Sequence, residues 1–229
     1  MINYLICSTQ RSGSSYLSHL LRATGELGRP GELFGKGEKS LKKFAAKHRV
    51  EPSELAVAKF VSEKWRSTNG VFGLKMHYHQ YLTFCANVEL RELFGGMNYL
   101  YVDRKDVVMQ AVSLYKARNS GAWSSSHKSQ NDVSYDYGGI MSCLNFLNEE
   151  KAKWEAFFSV TGVRLLRVYY EALEECPDIQ VRQVYKYLGL PNTGGEALFF
   201  DVTTQKQRDE ESYKWADRFC RDMKNRMVV

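Results

Sequence analysis

Ile2-Asn3-Tyr4-Leu5-Ile6-Cys7-Ser8-Thr9-Gln10-Arg11-Ser12-Gly13-Ser14-Ser15-Tyr16-Leu17-Ser18-His19-Leu20-Leu21-Arg22-Ala23-Thr24-Gly25 is the stretch on which the reading of this chain turns. Asn3 to Cys7 is a short apolar run with β-branched and aromatic character, the pattern of a buried strand. From Ser14 onward Tyr16, Leu17, Leu20 and Leu21 fall at helical spacing, and Gly25 follows as a stop signal. Between them, Ser8 to Ser15 has the composition of a phosphate loop. A glycine there lets the backbone turn tightly enough to aim successive N–H groups inward, and the helix behind it adds its unpaired donors and the positive end of its dipole. Ser12, Ser14 and Ser15 add hydroxyls, and Arg11 adds a permanent charge with a fork of N–H groups. A Ser-rich capped turn joining an ordinary strand and helix has the same composition, so these residues alone leave both readings open.

An ATP-using loop of the Walker type needs Gly-Lys-Ser/Thr at the helix start, with the lysine for the outer phosphates and the hydroxyl for magnesium. Here Gly13 is followed by Ser14 and Ser15. That sequence disfavours a magnesium-dependent kinase or ATPase and favours a phosphate-bearing donor that needs no metal.

The loop, together with Arg22-Ala23-Thr24-Gly25 and Gly28 to Phe34, resembles the opening of the bacterial trehalose sulfotransferase family. The resemblance resumes at Phe72 to Met76, at Asp103 to Trp123, at Tyr169 to Leu173, and at Lys206 to Asp209 with Trp215, so it touches nearly the whole chain in order. It implies transfer of a sulfuryl group from 3′-phosphoadenosine 5′-phosphosulfate (PAPS), as co-substrate, to a hydroxyl of a carbohydrate or glycolipid. It also implies that Arg11, Ser12, Gly13, Ser14 and Ser15 hold the 5′-phosphosulfate, and that Glu32 is the general base. In the family an Arg after the third strand and a Ser two helical turns on hold the 3′-phosphate, and Arg104 and Ser113 match those positions. Lys206 stands where the family usually has Arg, and Arg208 where it has a small residue, which leaves Lys206 and Gln207 as weaker donor contacts. Relatives of this type are often homodimers, an assembly the resemblance leaves open to this chain.

At 229 residues the chain is long enough for one substantial α/β domain and short for two. The expected organisation is a single domain over 1–229, with 36–70 as a variable helical region on the acceptor side, where the family resemblance is least. No apolar run approaches a membrane span, and Met1 to Cys7 lacks a basic n-region and a cleavage site, so a cytoplasmic protein without stable membrane insertion is expected. Five scattered cysteines, with no CxxC pair and no histidine at zinc spacing, predict reduced thiols and no metal. Net charge +6 admits a polyanion partner or a small anionic ligand. No nucleic-acid-reading signature is present, so the small anion is the better explanation.

Strands are predicted at Val71 to Met76, Asn98 to Val102 and Leu165 to Tyr170, alternating with helices at Tyr81 to Phe94, from Val107, over Gly138 to Val160, and over Asp178 to Leu188. Alternation of this kind predicts a P-loop-like, three-layer α/β/α fold with a mostly parallel central sheet and the site at the strand C-terminal ends. A carboxylate beside the transfer site can take a hydroxyl proton. Glu32, in a Gly-rich loop near that site, fits the task, though an arbitrary loop Glu is more often a surface residue. His77 and His79 are rival bases at the end of the second strand, or simply line the acceptor cleft. Arg104 could instead form a salt bridge with Asp103 or Asp106. Trp123 opens a Ser-rich loop through Gln130 that suits a mobile lid, and its ring could stack on sugar or adenine or merely anchor the loop. The Tyr-Glu-Ala-Leu segment from Tyr170 reads as structural. Two alternatives accompany the sulfotransferase reading: a nucleotide kinase-like phosphotransferase, which magnesium dependence would revive, and a non-catalytic nucleotide-binding protein.

Overall fold

The computed structural model describes residues 1–34, 37–123, 131–191 and 209–227. Lys206, Gln207 and Arg208, and the part of the expected lid from 124 to 130, lie outside the described residues. In chain order the elements are β1 (Ile2–Ser8), α1 (Ser14–Ala23), α2 (Glu38–His48), α3 (Glu54–Lys64), β2 (Val71–His77), α4 (Tyr78–Asn87), α5 (Leu90–Phe94), β3 (Asn98–Asp103), α6 (Val107–Ser120), α7 (Tyr137–Thr161), β4 (Leu165–Tyr169), α8 (Tyr170–Glu175), α9 (Pro177–Tyr187) and α10 (Glu210–Met227).

The strands form one sheet in the order β2-β1-β3-β4, and every pairing is parallel. β1 and β2 are buried along almost their whole length, as expected of strands covered on both faces. Alternate residues feed two separate cores. Leu5, Cys7, Phe72, Leu74, Met76 and Tyr101 pack with α3, α4 and α7 through Val61, Phe84, Trp154 and Phe158. Tyr4, Ile6, Val71, Leu100, Val102 and Val168 pack with α1, α8 and α9 through Leu17, Leu20, Leu173 and Val184. The result is a P-loop-like α/β/α arrangement. A third apolar cluster ties α6, α7 and α10 together around Leu114, Leu147, Trp215 and Phe219.

Side chains close the helix ends where the sequence supplies them. Asp106 Oδ1 accepts from the Met109 N–H at 2.9 Å, and Asp136 accepts from Gly138 and Gly139. The single helix expected over Tyr81 to Phe94 is two, because Val88 turns extended and buries its side chain in the core between α4 and α5. The Tyr-Glu-Ala-Leu segment is itself a short helix, α8. Among the described residues, no helix is long and apolar enough to cross a membrane.

From β1 the chain moves outward to β2, and from β2 it crosses back to β3, so the segments following β1 and β3 diverge from adjacent strand ends. This is the switch point at which open parallel sheets bind ligands. Register places Lys75 beside Ile6 and His77 beside Ser8, so both alternate onto the face that carries α1, at the strand C-terminal ends.

Candidate active site

The loop after β1 is wound by two left-handed residues, Arg11 (φ 60°) and Gly13 (φ 89°). Only a glycine fits the second position, because a Cβ there would lie 2.2 Å from Cδ2 of the Tyr170 ring. Gln110 on α6 braces the loop by donating to Thr9 Oγ1 at 2.8 Å and to the Gln10 carbonyl at 2.7 Å. Ser12 and Ser14 are buried, and Ser12 Oγ has no hydrogen-bond partner among the described residues. A buried, unsatisfied hydroxyl at the mouth of a helix N-terminus is a donor set waiting for an acceptor.

Two guanidinium groups converge on the same loop. Arg11 Nε donates to Ser113 Oγ at 2.9 Å and its Nη1 donates to the Trp123 carbonyl at 2.7 Å. Arg104, buried at the end of β3, donates from Nη1 to the Arg11 carbonyl and lies 5.0 Å from the Tyr170 ring centroid. Burial and the neighbouring Arg104 charge both weaken the Arg11 guanidinium's hold on its proton, with Tyr170 opposing them. Two permanent cations held this close favour an anion between them. Neither aspartate expected as an ion-pair partner of Arg104 is engaged by its side chain: Asp103 pairs with Lys151 at 2.7 Å and Arg167 at 3.5 Å, and Asp106 caps α6. Arg11, Arg104 and Ser113, taken from two separate motifs, are thus brought together in one hydrogen-bonded group.

The opposite wall is built on the end of β2. The Gly-rich loop after α1 is laid against that strand by the Lys75 N–H, which donates to the Gly31 carbonyl at 3.0 Å, and this brings Glu32 to the sheet edge. Lys75 Nζ pairs with Glu32 Oε2 at 2.7 Å and donates to Ser15 Oγ at 3.1 Å. Gln80 donates to Glu32 Oε1 at 3.0 Å while its own Oε1 accepts from the His77 N–H. Burial pushes the Glu32 carboxyl up, but the charges of Lys75 and His77 and the hydrogen bonds from Lys75 and Gln80 outweigh it and bring it down to about 2. His77 Nε2 lies 3.8 Å from Glu32 Oε2. Burial drives the His77 ring down to about 4 against the opposing pull of Glu32, so the imidazole is neutral near pH 7.

His77 Nδ1 faces Ser8 Oγ and the Ser8 carbonyl at 3.1 and 3.2 Å. His79 is half-exposed, its ring centroid 6.0 Å from that of His77, and its Nδ1 meets Glu150 Oε2 at 3.0 Å. Trp123 is 43% exposed and is tied to the site through its carbonyl, which accepts from Arg11. Among the described residues, no group of three or more His, Cys, Asp or Glu side chains lies close enough to hold a metal ion.

The sequence had given no part to Lys75, Gln80, Tyr170, Gln110 or Glu150. Lys75 carried a signal: a lysine inside the buried strand Val71–His77 is an anomaly that needs a partner. It also supplies in space what the loop lacks in sequence, a lysine at the start of α1. The missing Gly-Lys-Ser/Thr alone is therefore a weaker discriminator against phosphotransfer than the sequence suggested.

Fold and site together define a P-loop-like α/β protein in which a glycine-turned loop at a helix N-terminus faces a fixed carboxylate. Solved structures share the fold: the sulfotransferase domain of the Synechococcus PCC 7002 olefin synthase has a TM-score of 0.50 at 13% identity, covering 95% of this chain and 94% of that one. A sulfotransferase from Alicyclobacillus acidocaldarius gives the same TM-score and identity, covering 97% and 92%. The Stf0 sulphotransferase family model matches residues 3–222, and the chain belongs to that family. Trehalose 2-sulfotransferases of Mycobacterium tuberculosis and Mycolicibacterium smegmatis are each 25% identical to it, over 94% and 96% of this chain and 93% and 94% of their own.

Proposed function

We propose that this sulfotransferase uses PAPS to sulfate a hydroxyl of a carbohydrate or glycolipid in the cytoplasm. The single observation that carries the reading is Lys75, whose ammonium touches Ser15 of the anion loop and Glu32 of the opposite wall at once. That ammonium ties the loop proposed to hold the donor to the carboxylate proposed to take the acceptor's proton. The buried Ser12 hydroxyl, the Gly13 cradle and the paired guanidiniums fit the anionic donor.

PAPS supplies the sulfuryl group. Arg11 and the backbone N–H groups from Ser12 to Ser15 stabilise charge on the oxygen that leaves with the 5′-phosphate. Arg104, with Ser113 presented beside Arg11, recognises the 3′-phosphate. Lys75 faces the oxygens of the group in transit. Glu32, ionised at all physiological pH values, accepts the proton of the attacking hydroxyl. His77, His79 and Trp123 are assigned to the acceptor in this reading, as is the variable region 36–70. Lys206 and Gln207 complete the donor site in this reading.

Isothermal titration with 3′-phosphoadenosine 5′-phosphate (PAP), alongside ATP and ADP without magnesium, tests the donor class. Tight binding of PAP alone is the expected result. Equal or absent binding of all three overturns it.

A further inference from the structure

Glu150 sits on α7, and its side chain is only 4% exposed. Burying a carboxylate is costly unless it is paired and hydrogen-bonded. Its Oε2 accepts from His79 Nδ1 at 3.0 Å and from the His79 backbone N–H at 3.4 Å, and its Oε1 lies 3.7 Å from Lys153 Nζ. Burial raises the Glu150 carboxyl, yet the hydrogen bonds from the His79 ring and backbone and the charge of Lys153 outweigh it and hold it below its ordinary value, so it is ionised. An ionised carboxylate only accepts hydrogen bonds, so His79 Nδ1 must carry a proton. In the neutral ring the lone pair is then on Nε2, on the opposite edge of a side chain that is 44% exposed.

That ring stands next to His77, whose own Nε2 is 3.8 Å from Glu32. Glu32 and His79 thus offer two hydrogen-bond acceptors along one wall, with His77 between them. A simple helix-start contact would not require the carboxylate to be buried or the ring to be pinned by both its Nδ1 and its backbone.

Resting on the sulfotransferase reading above, we propose that Glu150 and His79 form the second polar contact of a saccharide acceptor. Glu150 is a positioning residue that fixes the His79 tautomer, and His79 Nε2 accepts a hydrogen bond from a hydroxyl other than the one sulfated. A substrate with a single hydroxyl cannot use both acceptors, so the pair selects for polyols.

The test compares wild type with His79→Ala, His79→Gln, Glu150→Gln and the double variant His79→Ala/Glu150→Gln. PAP affinity is measured by calorimetry, and PAPS-dependent sulfation is measured on trehalose, maltose and glucose. Expected are PAP affinities within about twofold of wild type, and a KM for the sulfated sugar raised about tenfold or more in His79→Ala and Glu150→Gln, with kcat less affected. The double variant should be no worse than His79→Ala, because the two residues act through one nitrogen. His79→Gln, whose amide oxygen can accept, should recover part of the loss. Imidazole 15N spectra should show the Nδ1–H tautomer of His79 in wild type and a mixture of tautomers in Glu150→Gln, whose amide can donate to Nδ1 as well as accept from Nδ1–H, a change that mere structural support would not produce. His79 is half-exposed, so its variants keep the test valid if Glu150→Gln does not fold.

A KM within twofold of wild type in His79→Ala, additive losses in the double variant, or an unchanged tautomer in a folded Glu150→Gln overturns the proposal. A wild-type protein that binds PAP but sulfates none of the three sugars also overturns it, leaving the donor reading intact. A wild-type protein that does not bind PAP removes the sulfotransferase reading itself.

Discussion

The two walls of the site are built on opposite principles. The loop after β1 is contiguous in sequence and works through backbone shape: two left-handed residues, a glycine pressed against Tyr170, and a helix N-terminus. The end of β2 is assembled from distant residues and works through charge. Glu32, Lys75, His77 and Gln80 meet only because a loop and a strand are stitched together at Gly31 and Lys75. The first wall should therefore fail by steric change and be indifferent to acid, and the second should fail by isosteric loss of charge and respond to acid.

The largest effect expected is at Gly13. Gly13→Ala places a Cβ at positive φ and 2.2 Å from the Tyr170 ring, so the loop or the ring must move. A cost on the order of 2–4 kcal/mol in urea unfolding is expected, together with loss of PAP binding in calorimetry. A variant that is fully stable and still binds PAP would mean that the backbone shape is not what makes this wall. Next comes Arg11→Ala, which removes one of two neighbouring guanidiniums without disturbing the core. Transfer activity should fall about 10³-fold in a protein with an unchanged unfolding curve. Near-normal turnover would sink the role assigned to Arg11.

On the opposite wall, Glu32→Gln keeps the shape and removes the charge. Turnover should drop by about 10²–10³-fold while PAP affinity holds, because Glu32 stands on the β2 wall and not in the loop after β1. The matched variant is His77→Asn, whose amide can still donate to the Ser8 carbonyl. If instead His77→Asn loses about 10²–10³-fold in turnover and Glu32→Gln loses little, the base is His77.

The same contrast explains how much could be read in advance. The strands, their parallel direction and the tight turn between β1 and α1 follow from local periodicity and from a glycine at a fixed place, and these are the features the structure reproduces. Arg104 and Ser113 were recognisable from their motif as a pair, but nothing local could say that Ser113 would be held by Arg11, 102 positions away. The segment from Tyr170 reads as structural in sequence, and only the fold lays its ring against Gly13. Gln80 and Glu150 carry little signal, since the contacts of Gln80 with Glu32 and of Glu150 with His79 each span dozens of positions. The break at Val88 was missed because a β-branched residue fits the helical pattern on either side, and only core packing decides that it turns extended.

The smallest expected effect separates the walls by pH. His77 is buried and neutral, with its folded value lowered to about 4 from an ordinary 6.5. The unfolded chain binds a proton at this residue below about pH 6.5, and the folded one does so only near 4, so stability is complete above 6.5 and is lost as pH falls towards 4. Glu32 acts in a lower window: its folded value of about 2 against 4.5 means that its contribution is full above 4.5 and disappears as pH falls towards 2. Each contributes on the order of 2 kcal/mol once solvent screening and their mutual coupling are allowed for. Urea midpoints at pH 7, 6, 5 and 4 should therefore fall steadily for wild type. They should fall less steeply between pH 6.5 and 4 for His77→Asn, while Glu32→Gln should flatten only the most acidic part. Arg11→Ala should leave the slope unchanged, because a guanidinium does not titrate in this range. A wild-type midpoint independent of pH from 7 to 4 would mean that the β2 wall is not the buried, charge-coupled cluster the distances describe, and the division of labour between the walls would have to be redrawn.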